Sequence, residues 1–427
     1  MMVLEFKVKA KNEQYQAIDE AIRTTQFIRN KCLRFWMDNK GVGRYDLNKH
    51  CKVLAQEFSF ANELNSMARQ SAAERAWSAI SRFFDNCKKQ IPGKKGYPRF
   101  KKNVRSVEYK TTGWKLDRST CKHITFTDKK GIGRVKLIGT HDLRFYEDKL
   151  IKRVRLVRKA DGYYCQFSLS VDNKEDVQPT GKAIGLDMGL KFAYVDNTGH
   201  TEPNPRFYRT AEKRLAKLQR RVSKKFRKRT AHGEVSSPCG RSKKGQPQSN
   251  NYKKARQKLA KLHLKVSRQR EEWAKRVARC VTKSAELIAY EDLKVKKMIR
   301  NHKLSKSIQD MGWRKFRYWI EYFGVKFGKV TVAVPPHYTT VDCSVCGAKV
   351  QKSLSTRTHR CNVCSTEMCR DRNAAVNILQ KAIRTAGHAG TWEQSLNAWG
   401  DLPSWAVGAN LLSNGESIEP RIPRLER

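Results

Sequence analysis

Positions 3–9 alternate apolar and basic residues, which is the period of a strand. From Asn12 to about Asp38 the apolar residues Ile18, Ile22, Phe27, Ile28, Leu33 and Trp36 recur at helical spacing. A second helical pattern runs from Ser66 to Cys87 and stops ahead of Pro92 and Gly93, where the basic segment PGKKGYPRFKK begins. Alternation returns between Lys152 and Val171: Val154 and Leu156 face one way, Asp161-Gly162 turns the chain, and Tyr163, Cys165, Phe167, Leu169 and Val171 alternate. The pattern predicts β structure split by an inserted helical block.

After a polar connector, Asp172 to Thr180, the run AIGLDMGLKFAYVDNTG predicts a strand, a glycine turn, a second strand and a hairpin at Asn197 to Gly199. A separate α/β unit is expected to begin here. Arg209 to Lys228 and Tyr252 to Tyr290 carry long basic helical patterns. The Gly/Ser/Pro-rich stretch His232 to Asn250 between them reads as an exposed loop. Ser284 to Asp292 leads into a strand, and Lys329 to Val334 forms another that Pro335-Pro336 ends. From about Ala386 lysine disappears and Trp, Gly, Ser and Pro take over, which predicts a flexible tail.

Charge narrows the class of partner. Lys and Arg number 89 against 40 Asp and Glu, a formal net charge of +49 over 427 residues, so a compact fold is expected to need a polyanion beside it. Solvated helices mix signs through i,i+4 pairs, whereas the two basic helical patterns are almost wholly positive. A basic protein on acidic membranes would want an amphipathic anchor or a long apolar span. Neither is found, and no charged-then-apolar leader opens the chain. Hydrophobic residues at 39% suffice for a core, and the length suits two or three domains.

The 12 cysteines divide into eight scattered singles and one tight group, Cys343, Cys346, Cys361 and Cys364, which argues for a reducing compartment with one metal site. Two C-x2-C knuckles with Gly347 after the first suit a closed tetrahedral Zn²⁺ site of structural rather than catalytic role. His359 and Cys369 lie close by and would be surplus as ligands. Three acids stand where metal ligands would: Asp187 after the strand Ala183 to Leu186, Glu291 after Leu287 to Tyr290, and Asp371 ahead of the helical stretch Asn373 to Lys381. Strand ends and a helix start can converge, and three hard oxygen ligands would hold one or two Mg²⁺ ions. By pattern alone Asp187 also reads as a turn residue, Glu291 as a solvated strand-end acid and Asp371 as an N-cap.

The segments GLDMGLKFA (185–193), RQREEWAKRVARC (268–280), AYEDLKVKKM (289–298), GWRKFRYWIEY (312–322), PPHYTTVDCSVCG (335–347) and CNVCSTEMCRDRNAAVNIL (361–379), with the softer GYPRFKK (96–102), resemble the TnpB proteins of insertion sequences. These are transposon-encoded RNA-guided nucleases related to compact type V CRISPR effectors. The resemblance implies a multidomain α/β chain. A wedge-like β-barrel (1–10 and 105–175) would carry a helical recognition insertion (11–104). A RuvC-like, RNase H type nuclease (180–342 and 366–385) would hold a zinc ribbon (343–365), followed by the tail (386–427).

It further implies that Asp187, Glu291 and Asp371 are catalytic and bind two Mg²⁺ ions, and that one structural Zn²⁺ sits on the four cysteines. The expected partners are a guide RNA from the transposon end and double-stranded target DNA, cut beside a short flanking motif, in a prokaryotic cytoplasm near the nucleoid. Expected nucleic-acid contacts are Arg99, Lys101, Lys102, Arg220, Arg221, Lys224, Lys225, Arg268 and Arg270, with Tyr252 and Trp273 placed for stacking or core packing. A cut-and-paste transposase and a non-cleaving RNA-guided repressor are the alternatives. The chain departs from the family at Cys369, where an Asp is common, at Thr339-Thr340-Val341, where Thr-Ser-Gln is usual, and at Ser365, where Gly is usual.

Overall fold

The computed structural model describes residues 2–90, 92–172, 174–227, 248–353 and 355–386, and the chain divides into two compact units, 1–173 and 174–427. The proposed loop at His232 to Asn250, apart from its last residues, and the proposed tail beyond Ala386 lie outside the described residues.

In the first unit the opening strand β1 (Met2–Lys9) is followed by α1 (Asn12–Asp38), α2 (Arg44–Glu57), α3 (Ser59–Asn62) and α4 (Ser66–Lys88). Helix α1 buries Ile18, Ile22, Ile28 and Leu33, and it can approach α4 closely because α4 carries Ala68, Ala72 and Ala76 at four-residue spacing on one fully buried face. The chain then returns to strands: β2 (Ser106–Tyr109), β3 (Trp114–Leu116), β4 (His123–Phe126), β5 (Arg134–Ile138), β6 (Ile151–Lys159) and β7 (Gly162–Leu169). These join β1 in one antiparallel sheet of order β2-β6-β7-β1-β5-β4-β3. Among the described residues its end strands β2 and β3 are not paired with each other, so the ladder itself is open.

Strand β2 is buried at all four positions, Glu108 included. Burial alone would raise that carboxyl, but the guanidinium groups of Arg75, Arg155 and Arg153 outweigh it and hold its pKa down from 4.5 to about 2. Removing one member of such a network leaves buried charge uncompensated, so Glu108→Gln is expected to destabilise the protein by about 3–5 kcal/mol at neutral pH. Because the folded pKa is depressed, this contribution is complete above about pH 4.5 and fades as pH falls toward 2. Urea unfolding of both proteins at pH 7 and pH 3 should therefore show the gap between them narrowing at the lower pH. A gap that stays constant would remove Glu108 ionisation from the account.

The second unit opens with β8 (Ala183–Asp187), β9 (Phe192–Asp196) and β10 (Thr201–Pro203), then α5 (Phe207–Arg227) and α6 (Asn250–Lys283). It continues through β11 (Leu287–Glu291), α7 (Val295–Met298), α8 (Ser305–Met311), α9 (Trp313–Phe327), β12 (Val330–Val334), β13 (Thr358–Arg360), β14 (Glu367–Cys369) and α10 (Arg370–Ala386). The helical pattern predicted to reach Tyr290 thus stops at Lys283, capped at Ser284. Five strands form a mixed sheet of order β10-β9-β8-β11-β12, with β11 parallel to both β8 and β12 and the β8-β9-β10 part antiparallel.

Strand β11 is buried on both faces, as a central parallel strand must be. Ile288 and Tyr290 join Trp273 of α6 and Phe316, Ile320 and Phe323 of α9, while Leu287 and Ala289 join Ile378, Leu379, Ala382 and Ile383 of α10. Trp273 is therefore a core residue. Among the described residues no helix is long and apolar enough to cross a membrane.

Candidate active site and metal centre

Alternation along the two parallel strands decides where their terminal acids point. Gly185 pairs with Ala289 and Leu186 with Tyr290, so Asp187 and Glu291 come next, side by side at the carboxyl ends of β8 and β11. Both share the face of Ala289 and Gly185, which is the face α10 covers. Helix α10 can lie that close because residue 185 has no side chain: a Cβ there would come within 2.2 Å of the Ala375 carbonyl oxygen and 2.9 Å of the Leu379 nitrogen. The first turn of α10 then brings Asp371 toward the two strand ends.

Burial first, then the charges of Glu291 and Asp371, push the Asp187 carboxyl up to about 8. Its raised value reports mutual repulsion of acids in a desolvated place, and a divalent cation would reverse that field. Glu291 is buried and also raised by burial, opposed by the Thr339 hydroxyl, which donates a 2.7 Å hydrogen bond to its Oε1, and by the charge of Lys381. Asp371 is held differently. Arg370 bonds its Oδ1 at 2.9 Å and Arg357 lies 3.5 Å from its Oδ2.

Among the described residues the four cysteines are the only group of three or more potential ligands whose donor atoms all lie within 4.8 Å of one another.

The cysteine cluster meets a stricter geometric test. Four sulfurs at a Zn–S distance of 2.3 Å stand about 3.8 Å apart in a tetrahedron. Here Cys343 and Cys364 are 3.7 Å apart and Cys346 and Cys361 3.5 Å. Each knuckle turns through a left-handed residue, Gly347 at φ 78° and Ser365 at φ 57°, so the second turn forms without the glycine usual there. The Thr366 hydroxyl and backbone amide lower the Cys364 thiol to about 6, which favours the thiolate that a metal binds. Cys369 lies outside the cluster, exposed at the end of β14.

Sequence reasoning missed the connection between the two centres. Asn373, Asn377 and Gln380 lie on one face of α10, and their amides bond the chain that leads into the first knuckle: Asn373 to the Asp342 carbonyl and the Ser344 N–H, Asn377 to the Thr339 and Asp342 carbonyls, and Gln380 to the Ser344 carbonyl. The segment that starts the cysteine cluster is thereby fixed to the helix bearing Asp371, with the Glu291 partner Thr339 at its beginning. The available signal was three amide side chains at 4- and 3-residue intervals along one helix.

The basic helices α5 and α6 form a groove of about 670 Å³ lined by Arg214, Lys217, Arg221, Lys258, Lys261 and Lys265, together with Leu218 and Leu262. Of the predicted contact residues, Arg221 lines this groove, and Arg220, Lys224, Lys225 and Arg268 are exposed on the same helices. Arg99, Lys101 and Lys102 are exposed in the first unit. Arg270 differs, because its guanidinium bonds buried Asp310 at 2.9 Å. Asp310 also accepts the first-turn N–H groups of α5 from Tyr208 and Arg209, so Arg270 helps anchor that helix start.

The family described as "Probable transposase" matches residues 166–302, and "Cas12f1-like, TNB domain" matches residues 313–378. A Streptomyces pristinaespiralis protein named "Putative RNA-guided DNA endonuclease" is 28% identical over 338 residues, covering 77% of this chain and 74% of the relative. These matches agree with the resemblance to the TnpB proteins read from the sequence. An Escherichia coli (strain K12) relative, also named "Putative RNA-guided DNA endonuclease", is 28% identical over 69% of both chains.

Among solved structures, the Cas12f1–sgRNA–target DNA complex covers 86% of this chain and 83% of its own at TM-score 0.50 and 15% identity. The mini-RNA-guided endonuclease CRISPR-Cas_phi3 covers 89% and 92% at TM-score 0.50 and 10% identity. At such identities the likeness is one of fold.

Proposed function

We propose that this protein is a member of the TnpB family and an RNA-guided DNA endonuclease of transposon origin. It would bind a guide RNA from the transposon end and cut double-stranded target DNA beside a short flanking motif, through Asp187, Glu291 and Asp371. The observation that carries the reading is the arrival of these three acids, from two neighbouring strand ends and a helix start, in one desolvated field where they raise the pKa of Asp187. Acids are outnumbered more than two to one by cations in this chain, and Asp187 stays raised despite Arg370 and Arg357 beside Asp371, so the gathering of three acids supports a site for a bound cation.

Two Mg²⁺ ions bound there would activate a water and stabilise the leaving oxygen of an in-line phosphodiester hydrolysis. The chain's own part is to orient ligands. Thr339 fixes the Glu291 carboxylate, Gly185 lets α10 approach, and Arg370 and Arg357 must yield Asp371 or turn to the substrate phosphate.

The domain assignment follows the same reading. The first unit would contain the helical recognition insertion on a wedge-like sheet, the second a RuvC-like nuclease with one structural Zn²⁺ on Cys343, Cys346, Cys361 and Cys364. The mixed five-strand order supports the RNase H type, and the α5–α6 groove supplies cations for a phosphate backbone.

The test is to sequence RNA that copurifies with the protein, reprogram the guide, and assay plasmid cleavage with Mg²⁺ or with a chelator. The expected result is a transposon-end transcript and cutting only at the programmed site in Mg²⁺. Strand-transfer products from transposon ends without RNA would favour a transposase, and programmed binding without cutting would favour a repressor. Thr339→Val is expected to lower cleavage about 10- to 100-fold and to raise the Mg²⁺ concentration required, whereas Thr339→Ser keeps both near normal. Equal Mg²⁺ dependence in the valine variant and wild type would release Thr339 from this role.

A further inference from the structure

The helical part of the first unit leaves aromatic rings in solvent beside dense positive charge. After α4 the chain returns along α1 as an irregular segment whose backbone is pinned. Arg29 and Asn30 donate to the carbonyls of Arg99 and Lys101 at 3.3 and 2.9 Å, the Lys101 N–H donates back to Asn30 at 2.9 Å, and Asn86 donates to the Lys95 carbonyl at 3.0 Å. This holds Tyr97 edge-on to Phe83 at 5.2 Å between ring centroids, within 5.9 Å of Trp36, and puts Phe100 under the Arg34 guanidinium at 5.2 Å. Yet Tyr97 remains 54% exposed, Phe84 50% and Phe100 41%. Between Phe84 and Lys102 the sequence has seven cations (Lys88, Lys89, Lys94, Lys95, Arg99, Lys101, Lys102) and one acid, Asp85.

Apolar rings alone would suit many partners, but this charge ratio selects a polyanion. A polyanion that also carries flat apolar faces is a nucleic acid with unpaired bases. A duplex would engage the cations through phosphates and leave the rings idle, because its bases are already stacked. Rings already ordered by their neighbours lose little freedom on binding. An apolar patch kept in solvent is also an aggregation hazard, which favours a partner bound throughout the protein's life over one met transiently.

We propose that Tyr97, Phe100 and Phe84 form a stacking platform for an unpaired segment of RNA. This rests on the RNA-guided reading for its choice of RNA, but its test needs neither Mg²⁺ nor cleavage.

Full-length protein stripped of RNA would be irradiated with short single-stranded RNA carrying 5-iodouridine, with the matching RNA duplex, and with single-stranded DNA carrying 5-iododeoxyuridine, and adducts mapped by mass spectrometry. Affinities of Tyr97→Ala, Tyr97→Phe and Phe100→Ala would be measured at one fixed salt concentration. Single-stranded RNA should give adducts on Tyr97 or Phe100, and each alanine variant should lose about 5- to 150-fold in its affinity while duplex binding is unchanged and Tyr97→Phe is preserved.

Equal losses on single-stranded and duplex RNA, no loss at all, or stronger crosslinking and larger losses with DNA would each overturn the proposal. Adducts in a protein that never cuts DNA would sink the nuclease reading alone. Programmed cleavage with an idle platform would sink only this one.

Discussion

Replacing Asp187 with asparagine is expected to lower RNA-programmed cleavage by more than about 100-fold, beyond what removing a partner of a metal ligand costs, while guide-RNA binding stays unchanged. The amide keeps the shape of the side chain at the end of β8 and its place on the face shared with Glu291, so folding is not at stake. What it loses is a charge that hard cations require of their ligands. Asp187 is the informative position because its pKa already registers the other two acids, being pushed up to about 8 by burial and then by Glu291 and Asp371.

Asp371→Asn is less clean, since it also releases Arg370 and Arg357 from their ion pairs. The measurement is the rate of programmed plasmid cutting set against electrophoretic binding of the guide. Cleavage that survives in Asp187→Asn would take this residue out of the site and leave Glu291 and Asp371 to be explained as separate buried acids.

How much of this could be read from the chain depended on the length scale of the signal. Strands β8 and β11 were legible because apolar runs of four residues end abruptly in an acid. The cysteine cluster was legible because its spacing is local. Strands β3 and β4, three and four residues long, were not, since so short a run carries too little alternation to separate from loop. Helix α6 was overextended to Tyr290 because a buried parallel strand is as apolar as the helix face before it, and only Ser284 marks the change.

The polar contacts were hidden for another reason. Glu108 and its arginines meet across 33 to 47 positions, Arg270 and Asp310 across 40, and Thr339 reaches Glu291 across 48. Nothing in the spacing of a charged residue says whether its partner is water, a nucleic acid or a buried acid brought by the fold. Arg270 shows the consequence: in a strongly basic helix it reads like Arg268 two positions earlier, and its bond to buried Asp310 comes from the fold.

The last expected result joins the two centres. Cys361→Ser should abolish binding of one equivalent of zinc and, with it, the order of the short strands β13 and β14, which have too few apolar residues to form a core of their own. Metal binding by such small four-ligand modules contributes about 10–16 kcal/mol at neutral pH, so loss of one thiolate is expected to unfold the cluster locally rather than loosen it.

The effect should not stop there. The chain entering the first knuckle is bonded through Thr339, Asp342 and Ser344 to Asn373, Asn377 and Gln380 of α10, and Thr339 in turn bonds Glu291. An unfolded cluster would free that segment and leave Glu291 buried without its hydroxyl partner, so cleavage should fall although no cysteine touches substrate. Cys369→Ser is the control, because its thiol stands outside the group and should leave both zinc and activity in place. Zinc would be counted by metal analysis of the purified proteins and cleavage assayed in parallel. A full equivalent of zinc in Cys361→Ser would refute the ligand assignment, whereas zinc lost with cleavage intact would break the link between the ribbon and Glu291.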